Sequence, residues 1–318
     1  MSENPDDKKP KINEEEFLKK YLDENDSSGP KIPEFKDIKG LKQDDSGRVA
    51  DLQFFAFDAK DMPLGMFYPN GTKIMVRAAQ VKEIQSYSMV DDKNFYDMIE
   101  KMNDMLSACV RIKYVDDRVG SYLDLKDGDR IYLIFLIREL TFQQGNTLAA
   151  DATCKCGNEM QIDLKRQNFC FHEMPDTLVK YFDDVDKQFV FETVSGQVYR
   201  IAPPTIGLQK SFTEYIVKEY NDKKVPNLSF LKIIPFTLVN SNSITVAGIK
   251  TKLAEFQVLS IQDFQFLNAA VNKMQFGIKE LKKICAQCSE EVYTDMVFPN
   301  GPSAIFALPT AFDDFIKK

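Results

Sequence analysis

Residues 154–164 read CKCGNEMQIDL, and residues 285–296 read CAQCSEEVYTDM. Each stretch opens with a closely spaced pair of cysteines, which are Cys154, Cys156, Cys285 and Cys288. The residues after each pair alternate, which predicts short strands at Glu159 to Leu164 and at Glu291 to Met296. Paired cysteines in a tight turn beside a strand are typical of the knuckles that hold structural metal ions. The sequence therefore predicts two cysteine knuckles.

The knuckles belong to a longer internal repeat. Cys288 follows Cys156 by 132 positions, and the same offset relates Glu291 to Glu159. Further landmarks recur in the same order at offsets of 125 to 134: Gly71 to Ile84 with Gly196 to Gln209, Leu125 to Asp129 with Leu259 to Asp263, and Met174-Pro175 with Leu308-Pro309. Because the order is kept and the offset drifts by only nine residues, we interpret the pattern as a tandem duplication.

Each predicted repeat mixes strands and helices. A glycine turn followed by a β-rich run predicts strands at Lys73 to Arg77 and Val198 to Ala202. Apolar residues at three- and four-residue steps predict helices at Asn94 to Val110 and Asp127 to Leu140. The predicted fold class is therefore α+β, a tandem duplication of a mixed α/β repeat with Cys-knuckle, zinc-ribbon-like elements.

Three segments are predicted along the chain. Residues 1–60 are expected to form a charged, largely disordered N-terminal arm, residues 61–184 the first repeat with the CxC knuckle, and residues 185–318 the second repeat with the CxxC knuckle. The arm has too few apolar residues to offset the entropy of ordering. Within it, Glu14 to Leu22 has one apolar helical face. We expect the arm to be a solvated tail, and an arm that folds on contact with a partner is the alternative. The charged run Lys279 to Lys283 is interpreted as a helix end.

The two knuckles together predict one metal site. A tetrahedral structural site needs four soft ligands, and each repeat supplies two. We expect zinc, bound by Cys154, Cys156, Cys285 and Cys288. Three alternatives remain open: an Fe–S cluster on the same thiolates, a local site of Cys154, Cys156, Cys170 and His172, and reduced thiols without a ligand. The local site is disfavoured because the second repeat has no cysteine or histidine at the place equivalent to His172.

Composition and missing motifs narrow the function. The 318 residues contain 41 Lys and Arg against 48 Asp and Glu, a net charge of −7 that opposes contact with nucleic acid or anionic lipid. His172 is the only histidine, and no GxSxG, HExxH, Walker A or GxGxxG motif occurs, so no enzyme is expected. No apolar run approaches the ~18 residues of a membrane span, and the first ten residues lack a signal-peptide core. Synthesis in the cytosol is expected.

Part of the chain resembles a known family. The residues that carry the resemblance are Tyr68-Pro-x-Gly71, a following strand that ends in Val76-Arg77, a helix with Tyr132-Leu133 and Ile137-Arg138, Thr141-Phe142, and the CxC knuckle before Ile162-Asp163-Leu164. This series is similar to baseplate hub subunits of T-even-like, contractile-tailed bacteriophages. The resemblance covers about Pro63 to Leu164 well and the second repeat loosely. It implies a structural or assembly role in the central baseplate, without catalysis.

We therefore expect a structural or assembly subunit of a bacteriophage tail baseplate, in the hub region. Its expected partners are other baseplate or hub proteins, with homo-oligomers inside the baseplate as a further option, and neither membrane nor nucleic acid. Its expected location is the host cytoplasm during assembly and then the virion tail. The alternative is a zinc-stabilised regulatory or nucleic-acid-associated adaptor, which the net acidity and the lack of a basic stripe interleaved with aromatic residues disfavour.

Overall fold

The structure is a computed structural model that describes residues 54–142, 148–193, 195–220, 229–296 and 301–307. These residues belong to one unit that spans residues 52–318. Below, the first half ends at residue 184 and the second half begins at residue 185, as the sequence predicts. The predicted arm helix, Glu14 to Leu22, and the repeat landmark at Leu308-Pro309 lie outside the described residues.

The first half alternates strands and helices. Its elements in chain order are β1 (Phe55–Asp58), β2 (Lys73–Val76), α1 (Val81–Tyr87), α2 (Phe95–Cys109), β3 (Val110–Lys113), β4 (Val119–Gly120), α3 (Arg130–Thr141), β5 (Ala149–Thr153), β6 (Glu159–Asp163), β7 (Phe169–Phe171), α4 (Asp176–Val179) and β8 (Phe182–Asp183). The mixed α/β class that the sequence predicts is confirmed.

The second half is richer in helix. Its elements are β9 (Gln188–Glu192), β10 (Val198–Ile201), α5 (Ile206–Tyr220), α6 (Ser229–Thr237), α7 (Val246–Gln257), α8 (Ile261–Lys273), β11 (Ile278–Ile284) and β12 (Glu291–Thr294). Strands β1 to β4 form one antiparallel sheet in chain order, and β9 is the middle strand between β8 and β10. Strands β5 and β6 pair with each other, whereas β11 pairs with both β12 and β7. A strand of the first half thus extends a sheet of the second half.

Helix α2 forms where the sequence predicts it, because capping and burial agree there. The Asn94 side chain accepts hydrogen bonds from the Tyr96 and Asp97 amides, which satisfies donors that a helix start leaves free. One face carries the buried residues Met102, Asn103, Met105, Leu106 and Cys109. Full burial of a methionine or leucine side chain stabilises the fold by about 1.5–3 kcal/mol. Cys109 is therefore a small core residue, as its place on this face predicts.

The two halves share several local details, although their orders of elements differ after the second helix. Gly71 and Gly196 both have a left-handed φ, of 77° and 78°, in the turn two residues before β2 and β10. Helices α1 and α5 both begin five residues after these strands end. Near the starts of α3 and α8, the buried carboxylates of Asp129 and Asp263 each accept hydrogen bonds from the loop between the first two strands of their half. The same device therefore ties a central helix to a hairpin in each half.

Asp129 anchors the first of these contacts. Its Oδ1 accepts from the Leu64 amide at 3.0 Å and its Oδ2 accepts from the Tyr68 hydroxyl at 2.7 Å. The Tyr68 oxygen in turn accepts from the Lys126 amide at 2.9 Å. Burial raises the pKa of Asp129 to about 7 and lowers the pKa of Lys126 to about 8, because each charged form loses its hydration.

Two hydrophobic cores lie one in each half and exchange a few residues. The first consists mainly of residues between Ala59 and Phe169, and the second mainly of residues between Leu178 and Met274. The exchanged residues are Leu64 and Phe67, which lie in the second core, and Ile206, Leu281, Ile305 and Phe306, which lie in the first. Each half therefore contributes residues to the core of the other half. The predicted boundary at residue 184 stays a prediction.

Two expectations are wrong in detail. Residues 55–58, which the sequence assigns to the end of the arm, form β1 and pair with β2, because the main chain continues the sheet with Phe57 packed on the core. The run Lys279 to Lys283 lies in β11 rather than at a helix end. Leu281 in this run is buried and pairs with both neighbouring strands, so the lysines occupy strand positions around one core residue.

Candidate metal centre

The first knuckle is the turn of the β5–β6 hairpin. The Cys154 amide donates to the Asn158 carbonyl at 2.9 Å, and the Gly157 amide donates to the Cys154 carbonyl at 2.9 Å. Gly157 has a φ of 86°, in the left-handed region that glycine adopts without steric cost. The turn therefore closes tightly and projects Cys154 and Cys156 from the same loop.

The second knuckle is the turn of the β11–β12 hairpin. The Cys285 amide donates to the Glu290 carbonyl at 2.9 Å, and the Ser289 amide donates to the Cys285 carbonyl at 2.9 Å. Ser289 takes the left-handed conformation here, with a φ of 60°. The longer CxxC spacing is accommodated by one more residue between the cysteines, while the closing hydrogen bonds keep the pattern of the first knuckle.

The four thiols converge across the two hairpins. The sulfur of Cys154 lies 3.5 Å from that of Cys288, and the sulfur of Cys156 lies 3.8 Å from that of Cys285. All four sulfur atoms lie within 4.8 Å of one another. A tetrahedron with Zn–S bonds of about 2.3 Å has edges of about 3.8 Å. The spacing of the sulfurs therefore fits four ligands around a single ion.

Backbone and side-chain contacts hold the hairpins side by side. The Lys283 ammonium donates to the Gln161 carbonyl at 2.8 Å, and the Thr294 hydroxyl donates to the Asp151 carbonyl at 3.4 Å. Beneath the cluster, Val292 is buried with the two inner cysteines. These contacts bring the strands of both hairpins together before any ligand is considered.

The cluster has a buried inner side and an exposed outer side. Cys154 and Cys285 are buried, whereas Cys156 and Cys288 are exposed. Each hairpin thus contributes one thiol to each side. A metal ion could reach the site from solvent through the exposed pair, and the inner pair would hold it against the protein.

Hydrogen bonds to sulfur favour a thiolate at Cys285. Its pKa is lowered to about 6, chiefly because the Cys288 and Gln287 amides donate hydrogen bonds to the sulfur. The Asn158 side-chain amide adds a donor at 3.5 Å. Amides that face a sulfur are a common outer shell of thiolate metal sites, because they stabilise the negative charge on the ligand.

Cys288 responds in the opposite sense. The Glu290 amide lowers its pKa, but the thiols of Cys154, Cys156 and Cys285 outweigh that effect and raise the pKa to about 12. Four thiolates this close would repel each other, so the thiols hold protons that a divalent cation would displace. Metal binding at this site is therefore expected to release protons.

The structure places the other candidate ligands outside the cluster. Cys170 lies in β7, paired with Glu280 of β11, and His172 donates its backbone amide to the Gly277 carbonyl at 3.1 Å. Among the residues that the structure describes, only the four knuckle cysteines form a group of three or more metal-ligand side chains. The geometry thus selects the shared cluster over the local alternative.

Sequence reasoning missed the contribution of Asn158 to this centre. Its side chain crosses from the first knuckle to the Cys285 sulfur of the second. The only signal for it was position, because Asn158 follows Cys156 by two residues in a turn where the neighbouring glycine suggests tight backbone. A polar residue in that turn does not by itself indicate which sulfur it will face.

Comparison with known proteins leaves the geometry as the basis for any function. No protein-family model, curated protein or solved structure matches this chain. None of the helices in the described ranges is long and apolar enough to span a bilayer. The baseplate resemblance therefore stays a prediction.

Proposed function

We propose that this chain is a structural or assembly subunit of a bacteriophage tail baseplate, in the hub region, with two repeats clamped by one zinc ion. The observation that carries the proposal is the ligand set, because two thiols come from each half and lie together at one point. An ion bound there would fix the geometry between the halves. Such a clamp suits a part that must present binding faces at a constant spacing.

The duplication is the first component of this proposal. It is supported by the matched glycine turns at Gly71 and Gly196, by the matched helix starts that follow them, and by the two aspartates near the starts of α3 and α8. The two knuckles also close with the same pair of hydrogen bonds. These local details support the residue correspondence that the sequence landmarks propose.

Zinc is the second component. Thiolate ligands favour soft or borderline ions, and a set of four suits tetrahedral zinc. An iron–sulfur cluster would place several iron and sulfide atoms between the cysteines. Sulfur atoms that lie within 4.8 Å of one another leave no room for these atoms. The spacing therefore supports a single ion.

The non-catalytic role is the third component. Catalytic zinc keeps a coordination position for water or substrate, whereas four thiolates fill the tetrahedron. The ion would contribute folding free energy, because its ligands meet only when both hairpins are folded and adjacent. The ion would therefore act as a structural cross-link between the two hairpins.

The proposal is tested by complementing a phage that lacks this chain. The wild-type gene and C170S should restore tails, because Cys170 lies outside the cluster, and C288S should leave assembly arrested at the baseplate stage. Electron microscopy of lysates and the infectious titre give the readout. Normal tails in the complete absence of the chain would overturn the assignment.

A further inference from the structure

The two halves already meet through a short backbone contact. The Ile206 amide donates to the Leu125 carbonyl at 2.8 Å, and the Asp127 amide donates to the Pro204 carbonyl at 2.9 Å. Lys126 and Thr205 lie opposite each other between these two bonds as an antiparallel bridge. The segment before α3 thus pairs with the segment that opens α5.

This contact also buries apolar surface. Ile206, at the first position of α5, is fully buried and belongs to the core of the first half. Pro203, Pro204 and Thr205 beside it are buried as well. The start of α5 is therefore an insertion into the other half, and the backbone pair sets its register.

The duplication supplies a second copy of each surface. At the offset of 125, Pro204 and Ile206 correspond to Ala79 and Val81. At the offset of 134, Leu125 and Asp127 correspond to Leu259 and Ile261. The correspondence also holds in the structure, because Val81 opens α1 as Ile206 opens α5.

The backbone groups that would repeat this contact have no hydrogen-bond partner within the described residues. The Val81 and Ile261 amides and the Ala79 and Leu259 carbonyls make no hydrogen bond there. Val81 is 64% exposed and Ile261 is 68% exposed, in contrast to the buried Ile206. Two donors and two acceptors are thus left open in the arrangement that the internal contact satisfies, and the Val81 side chain is exposed where Ile206 is buried.

We propose that a second copy of this chain occupies these surfaces head to tail. The start of α1 in one copy inserts against the segment before α8 in the next, with Val81 in the role of Ile206. The Val81 amide donates to the Leu259 carbonyl, and the Ile261 amide donates to the Ala79 carbonyl. The inference rests on the proposed duplication, and it names the partner of the proposed assembly subunit.

Continuity with the internal contact identifies the occupant. The two open surfaces are complementary to each other rather than each to itself, so a chain carries one of each. An interface of this type is heterologous, and it generates closed rings or open filaments depending on the rotation between copies. A ring is the arrangement expected of a subunit around a tail axis.

The test uses two variants that each block one surface. V81D places a carboxylate at the first position of α1, where the helix dipole tolerates it. I261P removes the amide donor at the first position of α8, where proline is tolerated, so both chains should remain folded. The matched control is V185D, because Val185 is 89% exposed and lies in the turn between β8 and β9, which contributes no residue to either surface. Light scattering after size exclusion gives masses relative to the 36.5 kDa chain, and circular dichroism verifies folding.

The wild type and V185D should form species larger than one chain as concentration rises. V81D alone and I261P alone should each stay monomeric, because the first loses the apolar side chain that inserts and the second loses the amide that donates to the Ala79 carbonyl. Their mixture should form a one-to-one dimer and stop there, because each variant retains the surface that the other lacks. A monomeric wild type at every concentration, or a mixture that stays monomeric while the wild type associates, would overturn the inference.

The outcome is separable from the proposed function. A monomeric wild type that still restores tails in the complementation assay removes the head-to-tail contact and leaves the baseplate role. If the purified chain associates but tails form normally without it, the head-to-tail contact stands and the baseplate role is removed.

Discussion

Replacement of Cys288 by serine is the most direct perturbation of the thiol cluster. Cys288 lies 3.5 Å from Cys154 and is exposed, so the substitution changes the ligand set without emptying part of the core. A serine hydroxyl is a harder and more weakly acidic ligand than a thiol. We expect the wild type to bind one ion per chain and C288S to bind none.

The size of the effect follows from linkage between metal binding and folding. At about 1,000 times its dissociation constant, a ligand that binds only the folded state stabilises it by about 4 kcal/mol. Each kcal/mol moves the melting temperature by roughly 2–4 °C in domains of about 150–250 residues, and less in longer ones. The folded unit extends over residues 52–318, so a fall of about 8 °C is expected.

The assay combines elemental analysis after dialysis against a chelator with calorimetric melting. C156S should match C288S in metal content, because the two exposed thiols belong to different hairpins of one site. C170S is the control and should keep the full equivalent, since Cys170 lies in β7 and outside the cluster. Retention of a full equivalent by C288S, or its loss from C170S, would refute the shared site.

Three further predictions concern buried charge and backbone. D129N should lower the free energy of unfolding by about 1–3 kcal/mol, because the carboxylate accepts two buried hydrogen bonds. The difference in unfolding free energy between the wild type and D129N should shrink as pH rises from 3.8 to about 7, because in this range the folded state holds a proton on Asp129 that the unfolded state has released. Urea titrations across this range check the prediction, and a difference that widens with pH would contradict it. E83Q should lower the free energy of unfolding in denaturant by about 3 kcal/mol, because it leaves the Arg77 guanidinium, which is 6% exposed, without its counter-ion. E139Q, in an exposed ion pair, should lower it by at most about 1 kcal/mol, and equal losses would argue against the effect of burial. G157A should weaken metal affinity in a chelator competition through about 1–2 kcal/mol of backbone strain alone, because an added Cβ meets no atom within 4 Å, and unchanged affinity would mean that the turn relaxes freely.

Local pattern predicts many elements of this fold. Helix α2 differs from the predicted Asn94 to Val110 only by its capping residues, and α3 begins three residues after the predicted Asp127 and ends one residue after the predicted Leu140. Both are short-range features, because apolar spacing and caps are written within one or two turns of helix. The convergence of the four thiols was predicted for another reason, since the internal repeat relates two knuckles that no local pattern connects.

Long-range pairing lies beyond such reasoning. Strand β7 pairs with β11, more than 100 residues later, and nothing in Phe169 to Phe171 indicates its partner. The lysines of β11 resemble the charged end of a helix, because the sequence does not show that Leu281 between them is buried in the core. The sequence also does not indicate that Ile206 and Phe306 belong to the first core, because any apolar residue fits either core.

The separation of the two knuckles along the chain has a consequence for synthesis. Cys156 and Cys285 are 129 residues apart, so at about 5–20 residues per second the ribosome needs roughly 6–26 s between them. During that interval a nascent chain offers a metal ion two thiols at most from this centre. Completion of the ligand set therefore reports that the ribosome has passed Cys288, and a chain truncated before Cys285 carries no finished site.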